Sequence, residues 1–313
     1  MVEEKKRSYW PWVLGGLILL FLLGLCVFGA VLAVAVGSSV KLGGQGVALI
    51  RVEGVITAAS MPSPFATGAF SERIIQELKQ AANDPRAKAI VVRVNSPGGS
   101  VVGSDEIYQA MRQVRKPIVV SMGEVAASGG YYIACAADHI VANPATLTGS
   151  IGVIMQIPNA AELFDALGVD VAIIRSGPHK GEGNLFEPLS EEEIAILQRQ
   201  IDEVFGQFVD VVATGRKMDP ERVRELADGR TYTGRQAYEL GLVDSLGNLS
   251  DAVDKAAELA GIRGKPQIIE YRRPPTLFEA LMGVTGRQPM RLSLADLLNL
   301  EGAPRFLYLY QGP

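Results

Sequence analysis

Short β-branched runs alternate with amphipathic helical stretches along most of this 313-residue chain, and that alternation restricts the fold more than any other feature. Residues 47–52, 87–94 and 117–121 read as buried strands, and residues 70–82 and 103–114 between them carry apolar side chains at helical spacing. Further short strands are expected at 140–143, 152–157 and 169–175, with helices at 131–137 and 160–167. A strand that returns through a crossover helix lies parallel to its predecessor. The expected class is therefore α/β, with a mainly parallel sheet covered on both faces. Ligands of such sheets sit beyond the carboxyl ends of the strands. Two turns fall at such ends, Asn95-Ser96-Pro97-Gly98-Gly99 and Ala126-Ala127-Ser128-Gly129-Gly130.

In the second turn Ser128 follows a strand and precedes a helical run, with small residues on both sides. Small residues let another backbone or a substrate come close. A strand, a tight turn, a serine and a helix start together make an acyl-transfer arrangement, with the Gly129 amide as one oxyanion donor and the Gly98–Gly99 turn able to offer a second. Helix capping alone would also place a serine here.

A hydroxyl nucleophile needs a base, and the chain has two histidines. His139 opens a strand and reads as structural. His179 and Lys180 share a loop that follows the strand expected at 169–175. Lys180 is the better candidate, provided that it is neutral when free, which requires removal from water. With Cys26 and Cys135 far apart and no histidine cluster, neither a disulfide framework nor a metal site is expected. A net charge of −4 argues against nucleic acid as a partner.

Residues 13–36 carry no charge, long enough as a helix to cross roughly 30 Å of hydrocarbon. Trp10 and Trp12 sit at its start, and Lys5, Lys6 and Arg7 precede it, so the N-terminus is expected inside and the rest outside. A cleaved signal peptide is the other reading. A flexible linker at 37–46 follows. Towards the C-terminus, Ser190 precedes Glu191, Glu192 and Glu193 and reads as the N-cap of a long helix to about residue 214. Shorter helices are expected at 220–228 and 250–260, weak ones at 277–282 and 292–300, and a strand at 306–310.

Four motifs in order, Asn95-Ser96-Pro97-Gly98-Gly99, Ala126-Ala127-Ser128-Gly129-Gly130-Tyr131-Tyr132, Thr148-Gly149-Ser150-Ile151-Gly152-Val153 and Ser176-Gly177 followed by Lys180, resemble the signal peptide peptidase A family in its short, single-domain bacterial form. These are membrane-anchored serine peptidases of the Clp-protease/crotonase superfamily. The resemblance implies a fold of repeated ββα units over residues 47–264, behind a cytoplasmic stretch (1–12), the span (13–36) and the linker. It implies Ser128 as nucleophile, Lys180 as general base, Ser150 as the hydroxyl that orients the lysine, and the Gly99 and Gly129 amides as the oxyanion hole, with no cofactor. It implies cleavage of leftover signal peptides and other short or unfolded peptides. It also implies a bowl-shaped homo-oligomeric ring at the membrane. Residues 265–313 read as a tail packing on the body or a neighbouring subunit. A crotonase-like acyl-CoA enzyme and a non-catalytic membrane scaffold are the alternatives.

Overall fold

The structure, a computed structural model, describes residues 10–37, 45–58, 68–271 and 307–310, and within 10–37 the side chains of residue 10 and residues 14–26 only. The chain divides into two compact units, Met1–Gly44 and Gln45–Pro313. The first holds one uncharged helix, α1 (Trp10–Gly37). Among the described residues no helix is long and apolar enough to cross a membrane.

The second unit runs β1 (Gly46–Glu53), β2 (Ile56–Thr57), β3 (Ala69–Phe70), α2 (Ser71–Asn83), β4 (Ala87–Ser96), β5 (Gly98–Ser100), α3 (Val101–Arg112), β6 (Ile118–Ala127), α4 (Gly129–Ala134), β7 (His139–Ala142) and β8 (Leu147–Gly149). It continues through α5 (Ala161–Ala166), α6 (Glu191–Arg216), α7 (Pro220–Leu226), β9 (Thr231–Thr233), α8 (Gly234–Glu239), β10 (Ser245–Leu246), α9 (Leu249–Leu259), β11 (Gln267–Glu270) and β12 (Leu307–Leu309). The large sheet has the order β10-β7-β6-β4-β1-β11, parallel throughout. The far end of β6 leaves β7 and pairs with β8, which carries β9 antiparallel. A smaller sheet has the order β12-β5-β2-β3. A large-sheet strand, small-sheet strand and helix follow one another twice, through β1, β2, β3 and α2 and through β4, β5 and α3, which is the mixed α/β pattern expected.

Period-two geometry explains why these strands look uniformly apolar. Ala48, Ile50, Ile90, Val92, Ile118 and Val120 face the main core with α2, α3, α4 and α6. Their neighbours Val47, Leu49, Ala89, Val91 and Val119 face α9 through Ala252, Val253, Ala256 and Ala257. Burying each such valine, leucine or isoleucine side chain contributes about 1.5–3 kcal/mol.

One irregularity aims the end of β6. The β4–β6 register shifts between Val94 and Ser96, so that Ser96 faces Ala126. The side-chain oxygen of Asn95 accepts the amides of Glu124 and Val125, at 3.0 and 3.1 Å. A Cβ on Gly123 would lie 2.7 Å from that oxygen, so this approach needs glycine. The bulge turns β6 towards β8. Thr146 and Thr148 lock the new pairing by donating to the carbonyls of Gly123 and Ala126, at 2.6 and 2.7 Å.

The long helix starts where its glutamates predict. Ser190 accepts the Glu193 amide, and Glu193 accepts the Ser190 amide. It ends at Lys217, which is left-handed (φ 52°). At its last turn the Arg216 guanidinium donates to both carboxylate oxygens of Asp244, and Asp244 also accepts the Ile140 amide. Two expected strands are corrected. Residues 152–157 contribute one bridge, Ile154 with Leu307, and residues 169–175 form no strand. Val169, Val171 and Ile174 have high β-propensity, but a strand needs a partner and a surface to pack on, and among the described residues this stretch has no strand partner, with Ile174 99% exposed. The helices expected at 277–282 and 292–300 and most of the linker lie outside the described residues.

The Arg216–Asp244 pair makes stability acid-sensitive. Burial pushes the Asp244 carboxyl up, but the Arg216 hydrogen bond and charge outweigh it and hold it below its ordinary 3.8. A lowered carboxyl contributes fully above that ordinary value and loses its contribution as pH falls through the lowered one. Asp244→Asn should cost about 3 kcal/mol at pH 7, with the gap to the parent narrowing below pH ~4, read from urea unfolding midpoints at the two pH values.

Candidate active site

Ser128 lies between β6 and α4, 1% exposed, with φ 53° and ψ −117°. That backbone is unfavourable for any residue with a Cβ and costs on the order of 1–3 kcal/mol. It is held from both sides. The Ser128 amide donates to the Gly149 carbonyl at 2.8 Å, and its own carbonyl accepts the Tyr131 and Tyr132 amides at 2.9 and 2.8 Å. A buried serine at a strand-to-helix turn in this conformation has the backbone geometry that a nucleophile elbow requires. The side chain makes no capping bond to α4, which removes capping as its explanation.

Ser150 is placed by the same ladder. β6 and β8 run in register with Ala127 opposite Gly149, so Ser128 and Ser150 are the next residues of two adjacent parallel strands. Both are left-handed, Ser150 at φ 48°, and both are buried. The Ser150 amide is tied to the Arg230 carbonyl at 2.9 Å.

The glycine turn arrives from the other side. Gly98 has φ 98°, and a Cβ there would lie 2.6 Å from the Gly129 amide nitrogen. A Cβ on Gly129 would lie 2.5 Å from the Ser104 hydroxyl and 3.2 Å from the Gly98 Cα. The two turns therefore touch backbone to backbone. The buried Ser96 hydroxyl fixes the glycine turn by accepting the Gly98 amide at 3.1 Å. Ser104 donates to the Ser100 carbonyl at 2.8 Å from within α3.

Sequence reasoning missed the aromatic cluster beside these turns. Tyr132 on α4 meets Phe208 on α6 edge-on and stacks with Tyr308 of β12, with ring centroids 5.1 Å apart in both cases. Tyr132 donates its hydroxyl to Asp105 at 2.9 Å, and burial, then the Asp105 charge, pushes its phenol far up. The available signal was the aromatic pair Tyr131-Tyr132 directly after the serine turn. Their partner Phe208 lies on a helix far along the chain and was not readable as such.

Lys180 stands apart. It lies in a turn whose amide bonds the Gly177 carbonyl at 3.1 Å, and its side chain is exposed. Among the described residues no hydrogen bond joins it to Ser128 or Ser150. The surrounding segment packs largely on itself: the Phe164 and Phe186 rings meet tilted with centroids 4.9 Å apart, Arg175 pairs with Glu187, and Asn184 caps the turn through the Phe186 and Glu187 amides. His179 lies 3.8 Å from Glu192, away from the serine turn's own bonds. The chain thus brings together Ser128, Ser150, Gly98, Gly99 and Gly129, and does not itself supply the dry surroundings expected for Lys180. Among the described residues no cluster of metal-ligating side chains occurs.

The model of peptidase family S49 matches residues 110–263, and that of Clp protease matches residues 61–148. A relative from Synechocystis sp. that bears the name of a protease is 43% identical over 241 residues, covering 75% of this chain and 86% of its own. One from Enterococcus faecium, named as a signal peptide peptidase SppA, is 35% identical over 279 residues, covering 84% of this chain and 80% of its own. Protease 4 of Salmonella typhi is 42% identical over 209 residues, covering 66% of this chain and 34% of its own length.

The strain at Ser128 has a measurable consequence. Ser128→Gly should raise stability by about 1 kcal/mol, the relieved strain less the entropy of glycine. Ser128→Ala keeps the Cβ and should give no such gain. Thermal unfolding of the two variants beside the parent separates them.

Proposed function

Because the chain belongs to peptidase family S49, as a serine peptidase of the signal peptide peptidase A type, we propose that it cleaves remnant signal peptides and other unfolded segments through a Ser128–Lys180 dyad and an acyl-enzyme. The observation that carries the reading is the buried, left-handed Ser128 with the Gly129 amide behind it and the Gly98–Gly99 turn against it.

Neutral Lys180 takes the Ser128 proton, and the alkoxide attacks the peptide carbonyl carbon. The tetrahedral oxyanion is held by the Gly99 and Gly129 amides; losing one such donor costs about 2.7–4 kcal/mol of transition-state stabilisation. The lysine ammonium then protonates the leaving amine. Water, deprotonated by the same lysine, hydrolyses the ester. Ser150, beside Ser128 in the β6–β8 register, is the hydroxyl that orients the lysine.

Lys180 reaches this site from a neighbouring copy. Its segment leaves Leu163, Leu167, Val171 and Ile174 exposed, an apolar surface of the kind that subunit contact covers. Covering it would also dry the lysine, which is what lowers an amine's affinity for its proton. A closed ring satisfies every copy alike. On the sequence alone, the uncharged residues 13–36 anchor the assembly in the membrane, with the N-terminus inside and the peptidase body outside.

The test is complementation. Ser128→Ala and Lys180→Ala should each abolish cleavage of an unstructured peptide. Co-expressed in equal amounts they should recover roughly a quarter of the sites, each with an intact serine and an intact lysine from adjacent copies. Wild-type cleavage by Lys180→Ala alone would remove the dyad.

A further inference from the structure

The two turns that carry the chemistry hang on different strands. The Gly98–Gly99 turn continues β4, and the Ser128–Gly129 turn continues β6. Their separation is therefore set by the register of β4 against β6, and that register breaks just before both turns. Arg93 stands opposite Ser121 and Val94 opposite Met122, but the next pair is Ser96 with Ala126, so Gly123, Glu124 and Val125 face Asn95 alone.

A backbone ladder cannot serve a stretch where the two strands differ in length, yet buried amides and carbonyls still need partners. Side chains supply them here. Asn95 Oδ1 takes the Glu124 and Val125 amides, and Thr146 and Thr148 donate to the Gly123 and Ala126 carbonyls from the β8 side. Arg93 takes the Met122 carbonyl, where the break begins. Its Nη1 donates to that carbonyl and to the Ser121 hydroxyl, both at 2.8 Å.

Bonds from a guanidinium are charge-assisted and roughly twice as strong as neutral ones. Among the described residues no carboxylate within ion-pair distance draws this guanidinium away, whereas its neighbour in register, Arg51, pairs with Glu53 and Glu270. Arg93 is half-buried; burial, then the Arg51 charge, pushes its pKa down, and the Glu53 charge offsets part of this. It stays ionised all the same, as arginine does in proteins. The Ser121 hydroxyl that holds the fork in place is fully buried. Arg93 and Asn95 alternate with the core-facing Val92 and Val94, so they lie on the α9 face of the sheet, while α4, which follows Ser128, packs in the main core on the other face. They act through β6 and not on the peptide.

We propose that Arg93 is a positioning residue for the reaction: with Asn95 it clamps β6 to β4 at the register break and so sets Ser128 at attacking distance from a carbonyl held on the glycine turn. This rests on Ser128 being the nucleophile. Ser128 stands roughly 20 Å beyond Met122 at about 3.3 Å per residue, and Ser150 moves with it, because β8 runs in register with the end of β6. A slip at the break shifts both hydroxyls against the glycine turn, and a misplacement of about 1 Å costs up to about a hundredfold in rate. Binding of the peptide, which needs neither hydroxyl, is left unchanged.

The experiment uses the full chain in detergent, with a fluorogenic unstructured peptide reading turnover and a fluorophosphonate labelling the nucleophile. Ser128→Ala should neither turn over nor label. Arg93→Gln should lower kcat roughly tenfold to a hundredfold and slow labelling by the same factor, with KM within about twofold of the parent's. Arg93→Lys returns a charged donor to the Met122 carbonyl and should recover kcat to within about threefold of the parent. Arg51→Gln removes the neighbouring charge without loosening β6 and should keep the parent's kcat. Ser121→Ala leaves the guanidinium one anchor instead of two and should lower kcat roughly threefold to tenfold at unchanged KM; it reads the same clamp should thermal unfolding show that Arg93→Gln does not fold. Parent kcat in folded Arg93→Gln or in Ser121→Ala, a loss that Arg93→Lys does not recover, or an equal loss in Arg51→Gln overturns the inference and leaves Ser128 as nucleophile. Cleavage and labelling that persist in Ser128→Ala overturn the reading on which it rests.

Discussion

The candidate active site of this chain depends on one unfavourable backbone conformation. Ser128 is left-handed because the strand before it is bonded to β8 up to Gly149 and the helix after it folds back onto its carbonyl. Between two such fixed points the chain has one short turn, and the serine takes the strain. Small residues are needed around it because two backbones meet there: Gly98 rests on Gly129, and Gly130 has the Ser96 carbonyl where a Cβ would lie, 2.9 Å away. A cost on the order of 1–3 kcal/mol at one residue is large against a net stability of about 5–15 kcal/mol. The doubly covered parallel sheet below is what sustains it.

The order of elements and the place of the site were readable because local chemistry and tertiary context agree. The β-branched runs of β1, β4 and β6 are strands because each alternate residue has a core to enter, and the Ser190 capping box starts α6 where it stands in the sequence. The stretch 169–175 shows the opposite case. It has the composition of a strand and, among the described residues, no strand partner, so its pattern describes a surface and not a ladder. The bulge at Asn95, which turns β6, leaves its trace only as an asparagine and Gly123, and neither says by itself which strand it will bend. The serine, the glycines and Ser150 were legible as motifs. The aromatic cluster was not, because Phe208 and Tyr308 come from two distant segments that only the fold brings to Tyr132.

Helix α6 joins several of these parts. One end is fixed at the sheet by Arg216 on Asp244, and its middle packs on the aromatic cluster through Phe208. Its start follows the surface segment that carries Lys180, with Glu192 of its first turn beside His179. The aromatic cluster, sheet anchorage and the lysine segment are therefore connected through one rigid rod, and a shift in any of them is felt by the others.

Cys135 carries a further consequence. It sits at the end of α4 with its carbonyl so close to Gly215 that no Cβ fits there, and burial pushes its thiol up to about 12 despite the nearby Arg216 charge. A sulfur so sealed stays protonated and out of reach of oxidants. The catalytic body can thus work in an oxidising compartment without a cystine bridge to protect it, and alkylating reagents that would silence a cysteine peptidase leave this sulfur untouched.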